Sequence, residues 1–135
     1  MATNRYQRTR DDHSRENAED YVELIAAITR ERGKTRAIDL ARGLGISHVT
    51  VAKTLQRLIR EGLVTAQPYQ SIHLTETGKQ LAEAAETRHE LVLSFLLALG
   101  VSPDAAETDT EGIEHHVSKE TLEAMQRFLV SKTQT

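Results

Sequence analysis

Two short helical patterns separated by a glycine constrain the fold of this chain more than any other feature. Residues 35–64 read TRAIDLARGLGISHVTVAKTLQRLIREGLV. Apolar residues recur at helical spacing on both sides of Gly45, which supplies the left-handed turn that ends the first helix. Ser47 is then a favourable N-cap residue for the second helix. The pattern predicts a helix-turn-helix.

The segment that follows predicts a β-hairpin. Residues 63–75, LVTAQPYQSIHLT, alternate apolar and polar side chains on both sides of a turn that contains Pro68. Such alternation is typical of half-buried strands, and the proline marks the connection between them. A hairpin placed directly after the second helix of a helix-turn-helix is the wing of a winged helix.

The second helix of the pair has a polar and basic surface outside its apolar stripe. Side chains of this kind contact base edges and phosphates when a recognition helix enters the major groove of DNA. The same unit also occurs in proteins that never bind nucleic acid, but the polarity of this helix favours DNA binding. The candidate DNA-contacting residues, two of them on the predicted wing, are Ser47, His48, Thr50, Lys53, Arg57, Tyr69 and Gln70.

Helical patterns flank the winged helix. Residues 1–17 contain four arginines and almost no large apolar side chains, so they predict a flexible basic arm. A helical period begins at Ala18 and stops at Gly33. Another helix is predicted from Thr75 to Gly100, and most of its last nine residues are apolar. A helix of that kind is buried on more than one side, and packing against a second subunit is the simplest way to bury it.

Charge and composition narrow the classes of function. Residues 1–62 carry 12 Lys and Arg against 9 Asp and Glu, a balance of +3, whereas residues 63–135 carry 5 against 11, a balance of −6. This asymmetry indicates an anion-binding first half and a cation-binding second half. The chain has no cysteine, so a metal site has to use oxygen and nitrogen ligands. We recognise no membrane span and no leader, and therefore expect a cytoplasmic protein.

The stretch DTEGIEHHVS, residues 109–118, concentrates carboxylates and imidazoles. On a helix, Glu114 lies about 60° and His115 about 40° from Glu111, whereas His116 lies roughly 140° away. Three of these four side chains can therefore converge on one point, which helix stability alone does not require. Taken alone, the spacing leaves both a metal site and an ordinary solvated acidic surface open.

Three residues elsewhere in the chain extend this candidate site. Asp20 and Glu23 lie near the start of the first helix, where acidic side chains also stabilise the helix dipole. His89 adjoins the apolar stretch of the next long helix, where a histidine is more often a core residue. Four carboxylates and two imidazoles suit Mn²⁺, Fe²⁺ or Co²⁺ better than a thiolate-rich structural Zn²⁺ site. The candidate ligands are Asp20, Glu23, His89, Glu111, Glu114 and His115.

Such a ligand set also admits an enzyme, because a carboxylate-bridged metal pair can activate water in a hydrolase. The sequence has no HExxH, no Gly-rich phosphate loop and no GxSxG. It also offers no candidate substrate cleft and no separate general base. We therefore expect a regulator that is not an enzyme and has no small-molecule substrate.

Four segments in order resemble one known family. EDYVELI, ISHVTVAKTLQRLIREGLV, RHELVLSFLLALGVSP and EGIEHHVS are similar to segments of the diphtheria-toxin-repressor family of metal-dependent transcriptional repressors, in its manganese-regulating branch. The resemblance covers residues 18 to about 131. It departs from the family at Val49, where related recognition helices often have proline, and in the basic arm, which the shortest members lack.

The resemblance implies a two-metal site between a DNA-binding and a dimerisation domain. Asp20, Glu23 and His89 match ligand positions of the family, as do Glu111 and Glu114, which are implied to serve both ions. His115 also matches a ligand, whereas His116 matches a neighbouring non-ligand. Iron-sensing relatives carry Met at the position of Asp20 and Cys at the position of Glu111.

The resulting expectation is a mainly α chain, with an N-terminal winged helix-turn-helix followed by an all-helical metal-binding and dimerisation domain. The predicted divisions are an arm at 1–17, a DNA-binding domain at 18–78 and the helical domain at 79–135. We expect a homodimer that binds palindromic operator DNA when Mn²⁺ is bound, with two ions per subunit and Fe²⁺ or Co²⁺ as substitutes. Its targets would be manganese uptake genes, and an iron-responsive repressor is the alternative.

Overall fold

The structure is a computed structural model that describes residues 2–67 and 70–133, with side chains from residue 13 onward. Within these ranges six helices and one hairpin form two compact units, His13–Glu83 and Ala84–Thr135, the latter together with Met1–Asp12. The elements are α1 (Ala2–Arg32), α2 (Ala37–Leu44), α3 (His48–Arg60), β1 (Val64–Thr65), β2 (His73–Leu74), α4 (Glu76–Ala98), α5 (Pro103–Ile113) and α6 (Lys119–Thr133). The predicted mainly α fold is confirmed, and the predicted domain limits remain predictions.

The first helix is longer than the sequence pattern predicted. It begins at Ala2, so the segment interpreted as a flexible arm is helical, and the predicted start at Ala18 was wrong. The prediction relied on apolar burial, which residues 1–17 lack. Residues 1–32 contain neither glycine nor proline, however, and they are rich in Arg, Glu and Ala, which favour a helix without tertiary contacts. The helix ends where predicted, with Gly33 in a left-handed conformation.

The helix-turn-helix is confirmed as the centre of the first unit. Gly45 adopts a φ of 67° directly after α2, and its N–H donates to the carbonyl of Ala41. The Ser47 hydroxyl caps α3 by accepting a 3.2 Å hydrogen bond from the Thr50 N–H. Buried residues from α1, α2, α3 and the hairpin pack into one core. Its largest fully buried side chains are Tyr21, Val22, Ile25, Leu40, Val51, Leu58 and Val64.

The hairpin forms where predicted, and its strands are short and antiparallel. Val64 pairs with Leu74 and Thr65 with His73. An additional bridge joins Thr35 to Ile72, which ties the hairpin to the segment before α2. The tip of the hairpin, where Tyr69 was predicted to contact DNA, lies outside the described residues.

The start of α4 is fixed against the end of the recognition helix and β1. Thr75 donates from its hydroxyl to the Gly62 carbonyl at 2.6 Å and accepts from the Gly78 N–H at 3.0 Å. Gly78 is buried, and its backbone lies directly against the Leu63 carbonyl. The start of the wing is therefore anchored to α4 through close backbone packing.

The second unit contains the end of α4, then α5 and α6. Ser102 caps α5, where Pro103 occupies the first turn, and Ser118 caps α6 by accepting from the Thr121 N–H at 3.1 Å. Phe95 of α4 and Phe128 of α6 pack edge to face with ring centroids 5.3 Å apart. None of the helices in the described part of the chain combines the length and apolarity that crossing a bilayer requires.

Large apolar side chains of this unit remain exposed in the single chain. Four of them are 37–56% exposed and lie at the end of α4, just after it, or in the last turns of α6: Leu97, Leu99, Phe128 and Val130. A second subunit was predicted to cover the end of α4, and this exposed apolar surface is in keeping with that prediction.

Candidate metal centre and DNA-binding surface

Three predicted metal ligands come together in the second unit. His89 lies on α4, Glu111 lies on α5, and Glu114 directly follows α5. The Nδ1 atom of His89 is 3.2 Å from Glu114 Oε2 and 3.5 Å from Glu111 Oε1. One ligand atom from each residue lies within 4.8 Å of the others, which is close enough for all three to share one cation.

Glu114 is the most enclosed of these residues. Its N–H donates to the Thr110 carbonyl at 3.0 Å, and its own carbonyl accepts a 3.2 Å hydrogen bond from Arg88 Nε. Arg88 was not identified from the sequence, although it adjoins His89. Both hydrogen bonds are made by the backbone of Glu114, so they hold the end of α5 in place without its side chain. The Glu114 carboxylate is thereby kept beside the His89 imidazole.

The two neighbouring histidines differ in their exposure. His115 is 4% exposed, whereas His116 is exposed to solvent. The helix ends at Ile113, so both histidines lie in the turn that follows it. The separation of their side chains therefore depends on that turn as well as on the helical period.

The donors that converge here fit a divalent metal ion. Carboxylate oxygens and an imidazole nitrogen are the ligands preferred by Mn²⁺, Fe²⁺ and related cations. The Glu114 side chain is only 1% exposed, and a buried carboxylate is costly unless opposite charge or hydrogen bonds compensate it. A cation bound by His89, Glu111 and Glu114 would supply that compensation.

The two ligands predicted in the first helix belong to the other unit. Asp20 and Glu23 are half-buried on α1 and lie three residues apart, which places them on one side of that helix. Their participation in the same metal site as His89 and Glu114 remains a prediction.

The predicted DNA-contacting surface is exposed along α3. Ser47, His48, Thr50 and Lys53 are exposed, while Val51, Leu55 and Leu58 are buried beneath them. Val49 is 65% exposed at the start of the same helix. The recognition helix therefore exposes polar side chains on one face, while the apolar side chains of its other face pack into the core.

A groove of about 730 Å³ lies between the start of α3 and the hairpin. His48 and Gln70, both predicted to contact DNA, line it together with Arg36 and Gln67. Arg36 and Gln67 were not among the residues predicted to contact DNA. The rest of the lining is apolar, from Ala37, Ile38, Leu55, Ala66 and Ile72. A cationic and two amide side chains around one groove are suited to a sugar-phosphate strand.

Arg57, also predicted to contact DNA, is engaged within the protein. Its Nη2 donates to Asn17 Oδ1 at 2.9 Å and its Nη1 to the Ser14 carbonyl at 3.4 Å. A further ion pair joins Arg57 to Glu61 at 3.7 Å. These contacts favour a role in holding α1 against α3, and a contact of Arg57 with DNA remains a prediction.

A winged helix-turn-helix followed by a helical unit with a carboxylate and histidine cluster defines a class of metal-responsive transcriptional regulators. Residues 13–72 match the family model of the iron dependent repressor N-terminal DNA binding domain. Residues 75–134 match the model of the iron dependent repressor metal binding and dimerisation domain. The chain belongs to the iron-dependent repressor family.

Curated relatives support the same assignment. The transcriptional regulator MntR of Escherichia coli O6:H1 (strain CFT073) is 48% identical over 123 residues, covering 91% of this chain and 79% of that protein. The transcriptional regulator MntR of Salmonella typhimurium (strain LT2) is 46% identical over 123 residues, covering 91% and 78%. Within the family, the chain is therefore similar to MntR proteins.

Solved structures of manganese regulators share the fold. A manganese-dependent transcriptional repressor in complex with manganese matches with a TM-score of 0.75 and 29% identity over 83% of this chain. The manganese regulator SloR matches with a TM-score of 0.72 and 27% identity, also over 83%. The chain spans about half the length of these two structures, 52% and 53% respectively.

Proposed function

We propose that this protein is a Mn²⁺-responsive, homodimeric transcriptional repressor that acts in the cytoplasm. It binds palindromic operator DNA when metal is bound and represses manganese uptake genes. The observation that carries the proposal is the grouping of His89, Glu111 and Glu114 around one point, in a chain that also exposes a polar recognition helix. The MntR relatives and the manganese-dependent repressor structure support the choice of metal.

The ligand chemistry supports Mn²⁺ over a softer metal. Asp20 and Glu111 are both carboxylates, and hard oxygen donors suit Mn²⁺, whereas sulfur donors favour metals later in the Irving–Williams series. With Glu23, Glu114 and two histidines, the ligands suffice for two ions per subunit, and Fe²⁺ and Co²⁺ are the expected substitutes. An iron-responsive repressor is the alternative within the same family.

Repulsion between carboxylates provides the proposed switch. Asp20 and Glu23 belong to the DNA-binding half, while Glu111 and Glu114 belong to the dimerisation half. Four negative side chains brought to one site without a cation would repel each other, so the halves would move more freely. When these side chains share bound metal, the two recognition helices of the dimer are held at the spacing of successive major grooves, about 34 Å.

The function is tested by metal-dependent binding to DNA. The purified protein with Mn²⁺ is expected to be a dimer that protects an inverted repeat in a metal-uptake promoter, and to release it when the metal is chelated. The measurement is a footprint and a sedimentation experiment with and without Mn²⁺. A monomer that binds no palindromic DNA in the presence of Mn²⁺ would overturn the proposal.

Lys53→Ala removes one candidate phosphate contact from each subunit of the dimer. It is expected to weaken operator binding about 100-fold, the effect of removing two charged hydrogen bonds of about 1.4 kcal/mol each. The slope of log affinity against log salt should fall by about two, because the variant dimer neutralises two phosphates fewer and releases two counterions fewer. Calorimetric Mn²⁺ titration should be unchanged. Lys119→Ala, which removes an exposed lysine of α6, is the matched control and should leave both quantities unchanged.

Asp20→Met is expected to change the ranking of activating metals. A thioether costs Mn²⁺ more than it costs Fe²⁺ or Co²⁺, so Mn²⁺ activation should weaken while the later metals still drive DNA binding. Anaerobic DNA-binding titrations with the three metals measure this, with Glu31→Met on the exposed side of α1 as control. An unchanged ranking in Asp20→Met would show that selectivity is set by other residues.

A carboxylate-bridged dimetal hydrolase is the second candidate function, since His89, Glu111 and Glu114 would also suit a water-activating metal. Incubating the Mn²⁺-loaded protein with model phosphoesters separates the two candidates. Metal-dependent DNA binding without turnover supports the repressor, whereas turnover that is lost in Glu114→Ala supports the hydrolase.

A further inference from the structure

A surface cavity of about 460 Å³ lies between α1, β2 and the start of α4. The described residues that line it are Ala26, Thr29, Arg30, His73, Leu74 and Lys79. All six belong to the compact unit His13–Glu83, and none of them lines the groove between α3 and the hairpin. The cavity is therefore distinct from the candidate DNA-binding groove, and its described lining contains none of the candidate metal ligands.

The cavity collects hydrogen-bond donors that suit an anion. Arg30, His73 and Lys79 come from three different elements, and all three are exposed. An imidazole donates from a ring nitrogen in either protonation state, so each of these side chains can donate to a bound anion. No acidic residue is among the described residues that line the cavity, although the chain as a whole carries a net charge of −3. Such a local excess of positive charge attracts anions.

Two of the three donors are not used within the protein. Among the residues whose side chains the structure describes, neither the Lys79 ammonium nor the His73 imidazole forms a hydrogen bond or an ion pair. Glu76 and Glu83 lie three residues before and four residues after Lys79 on α4, which is the spacing of helical ion pairs. Neither of them pairs with it. Lys79 and His73 are therefore available to a ligand in the cavity.

The rest of the lining suits the organic part of a ligand. Ala26 and Leu74 are partly buried apolar residues packed against the core, and the Thr29 hydroxyl is already hydrogen-bonded to Thr35 at 2.8 Å. The volume of about 460 Å³ lies within the usual range of small-molecule pockets, roughly 300–1,000 Å³. An inorganic ion would leave most of this volume unfilled. The cavity therefore fits a molecule that joins an anionic group to a larger organic body.

We propose that this cavity is a binding site for a phosphorylated small molecule. A phosphate group presents three terminal oxygens, enough to accept from each of Arg30, His73 and Lys79, whereas a carboxylate presents two. Arg and Lys are also the side chains most suited to phosphate. The organic body of the ligand lies against Ala26 and Leu74. This site does not depend on the proposed metal response or on operator binding.

The backbone around the cavity is held in place without a ligand. Leu74 pairs with Val64 in the hairpin, and the Thr75 hydroxyl donates to the Gly62 carbonyl at 2.6 Å. The Lys79 N–H donates to the Thr75 carbonyl at 2.9 Å. Binding therefore has to order only the long side chains of the rim, which limits its entropic cost.

The first test titrates metal-free protein with ribose 5-phosphate at about pH 7 and about 0.15 M salt, a physiological ionic strength. In ¹H–¹⁵N correlation spectra, the amides of residues 26–30, 73–74 and 79 should shift and saturate. A dissociation constant on the order of 1 mM is expected from three charged hydrogen bonds after the cost of association. Ribose should cause no shift, and inorganic phosphate and succinate should bind more weakly. Tighter binding of succinate, or shifts that do not saturate, would overturn the proposal.

The second test uses variants of the exposed donors. Lys79→Ala and Arg30→Ala should each weaken binding of ribose 5-phosphate about tenfold, the effect of removing one charged hydrogen bond. Lys79→Arg should retain most of the affinity, because a guanidinium also donates to phosphate. Lys34→Ala removes an exposed lysine of the same unit that does not line the cavity, and it should bind like the wild type. Equal losses in Lys34→Ala and Lys79→Ala would indicate general attraction of anions to the protein and no defined site.

The DNA backbone is a second source of phosphate, and a short duplex without an operator distinguishes it from a small molecule. The duplex should shift amides of α3 between residues 47 and 53, leave those of residues 73 and 79 unchanged, and not compete with ribose 5-phosphate. If the duplex shifts the amides around the cavity and displaces ribose 5-phosphate, the cavity is part of the DNA-binding surface and the proposal of a separate small-molecule site is wrong.

Discussion

Glu114→Ala is expected to abolish Mn²⁺-dependent DNA binding, with a loss of metal affinity of more than about 100-fold. Removing a partner of a metal ligand already costs about 10- to 100-fold, and Glu114 is itself a proposed ligand, implied by the family resemblance to serve two ions. Its carboxylate is 1% exposed and lies 3.2 Å from His89 Nδ1, so the substitution removes the most enclosed oxygen donor of the cluster. Calorimetric Mn²⁺ titration and a gel shift measure the two effects.

The control for this prediction is the neighbouring residue His116, which is exposed. His116→Ala should lose little affinity, and equal losses in the two variants would contradict the assignment of Glu114. Because removal of a buried side chain can also disturb folding, Glu114→Gln serves as a second variant of similar shape. It should keep the metal-free melting temperature of the wild type and still fail to respond to Mn²⁺.

Gly78→Ala is expected to destabilise the protein by about 3 kcal/mol, near the upper end of the usual cost of overpacking. A Cβ at this position would overlap the backbone carbonyl of Leu63 and press against the Leu74 side chain. The carbonyl cannot yield easily, because it accepts the Thr75 N–H at 3.0 Å. Thermal unfolding of metal-free protein should show a decrease in melting temperature on the order of 10 °C.

The same substitution at Gly112 is the matched control for stability. Gly112 is also helical, but apart from its chain neighbours and the backbone of its own helix, no heavy atom of the described residues lies within 4 Å of a Cβ built there. Gly112→Ala should therefore stabilise the metal-free protein by about 0.5 kcal/mol through the lower entropy of the unfolded chain. If both variants have the same melting temperature, the close contact between Gly78 and Leu63 is not a determinant of stability.

The winged helix could be predicted because its sequence signals are local. The left-handed glycine at position 45, the Ser47 cap and the apolar spacing of α3 act over a few residues each, and the structure realises all three. The start of α1 was missed for the opposite reason. Residues 2–17 form a helix without the apolar stripe on which the prediction relied, so intrinsic propensity was the only signal available.

The candidate site was harder to predict than the winged helix, because its residues come from separate helices. The spacing of Glu111 and Glu114 indicated convergence on one point, but no pattern within a single helix predicts which residues of another helix will meet them. Glu107 lay outside the prediction because its position 3.6 Å from His89 Nε2 is a product of tertiary packing. Arg57 was predicted to contact DNA because it is a basic residue of the recognition helix. Nothing in the sequence indicated that its guanidinium hydrogen-bonds to Asn17 within the protein.

The recognition helix packs into the core with one face and presents side chains to the operator with the other, so the two faces can change independently during evolution. Val51, Leu55 and Leu58 fix α3 in the core, while His48, Val49 and its other exposed positions contribute little to that packing. Substitutions at exposed positions usually change stability by no more than about 0.5 kcal/mol. Operator preference can therefore drift through many neutral steps in a lineage, each leaving a folded intermediate on which selection can act.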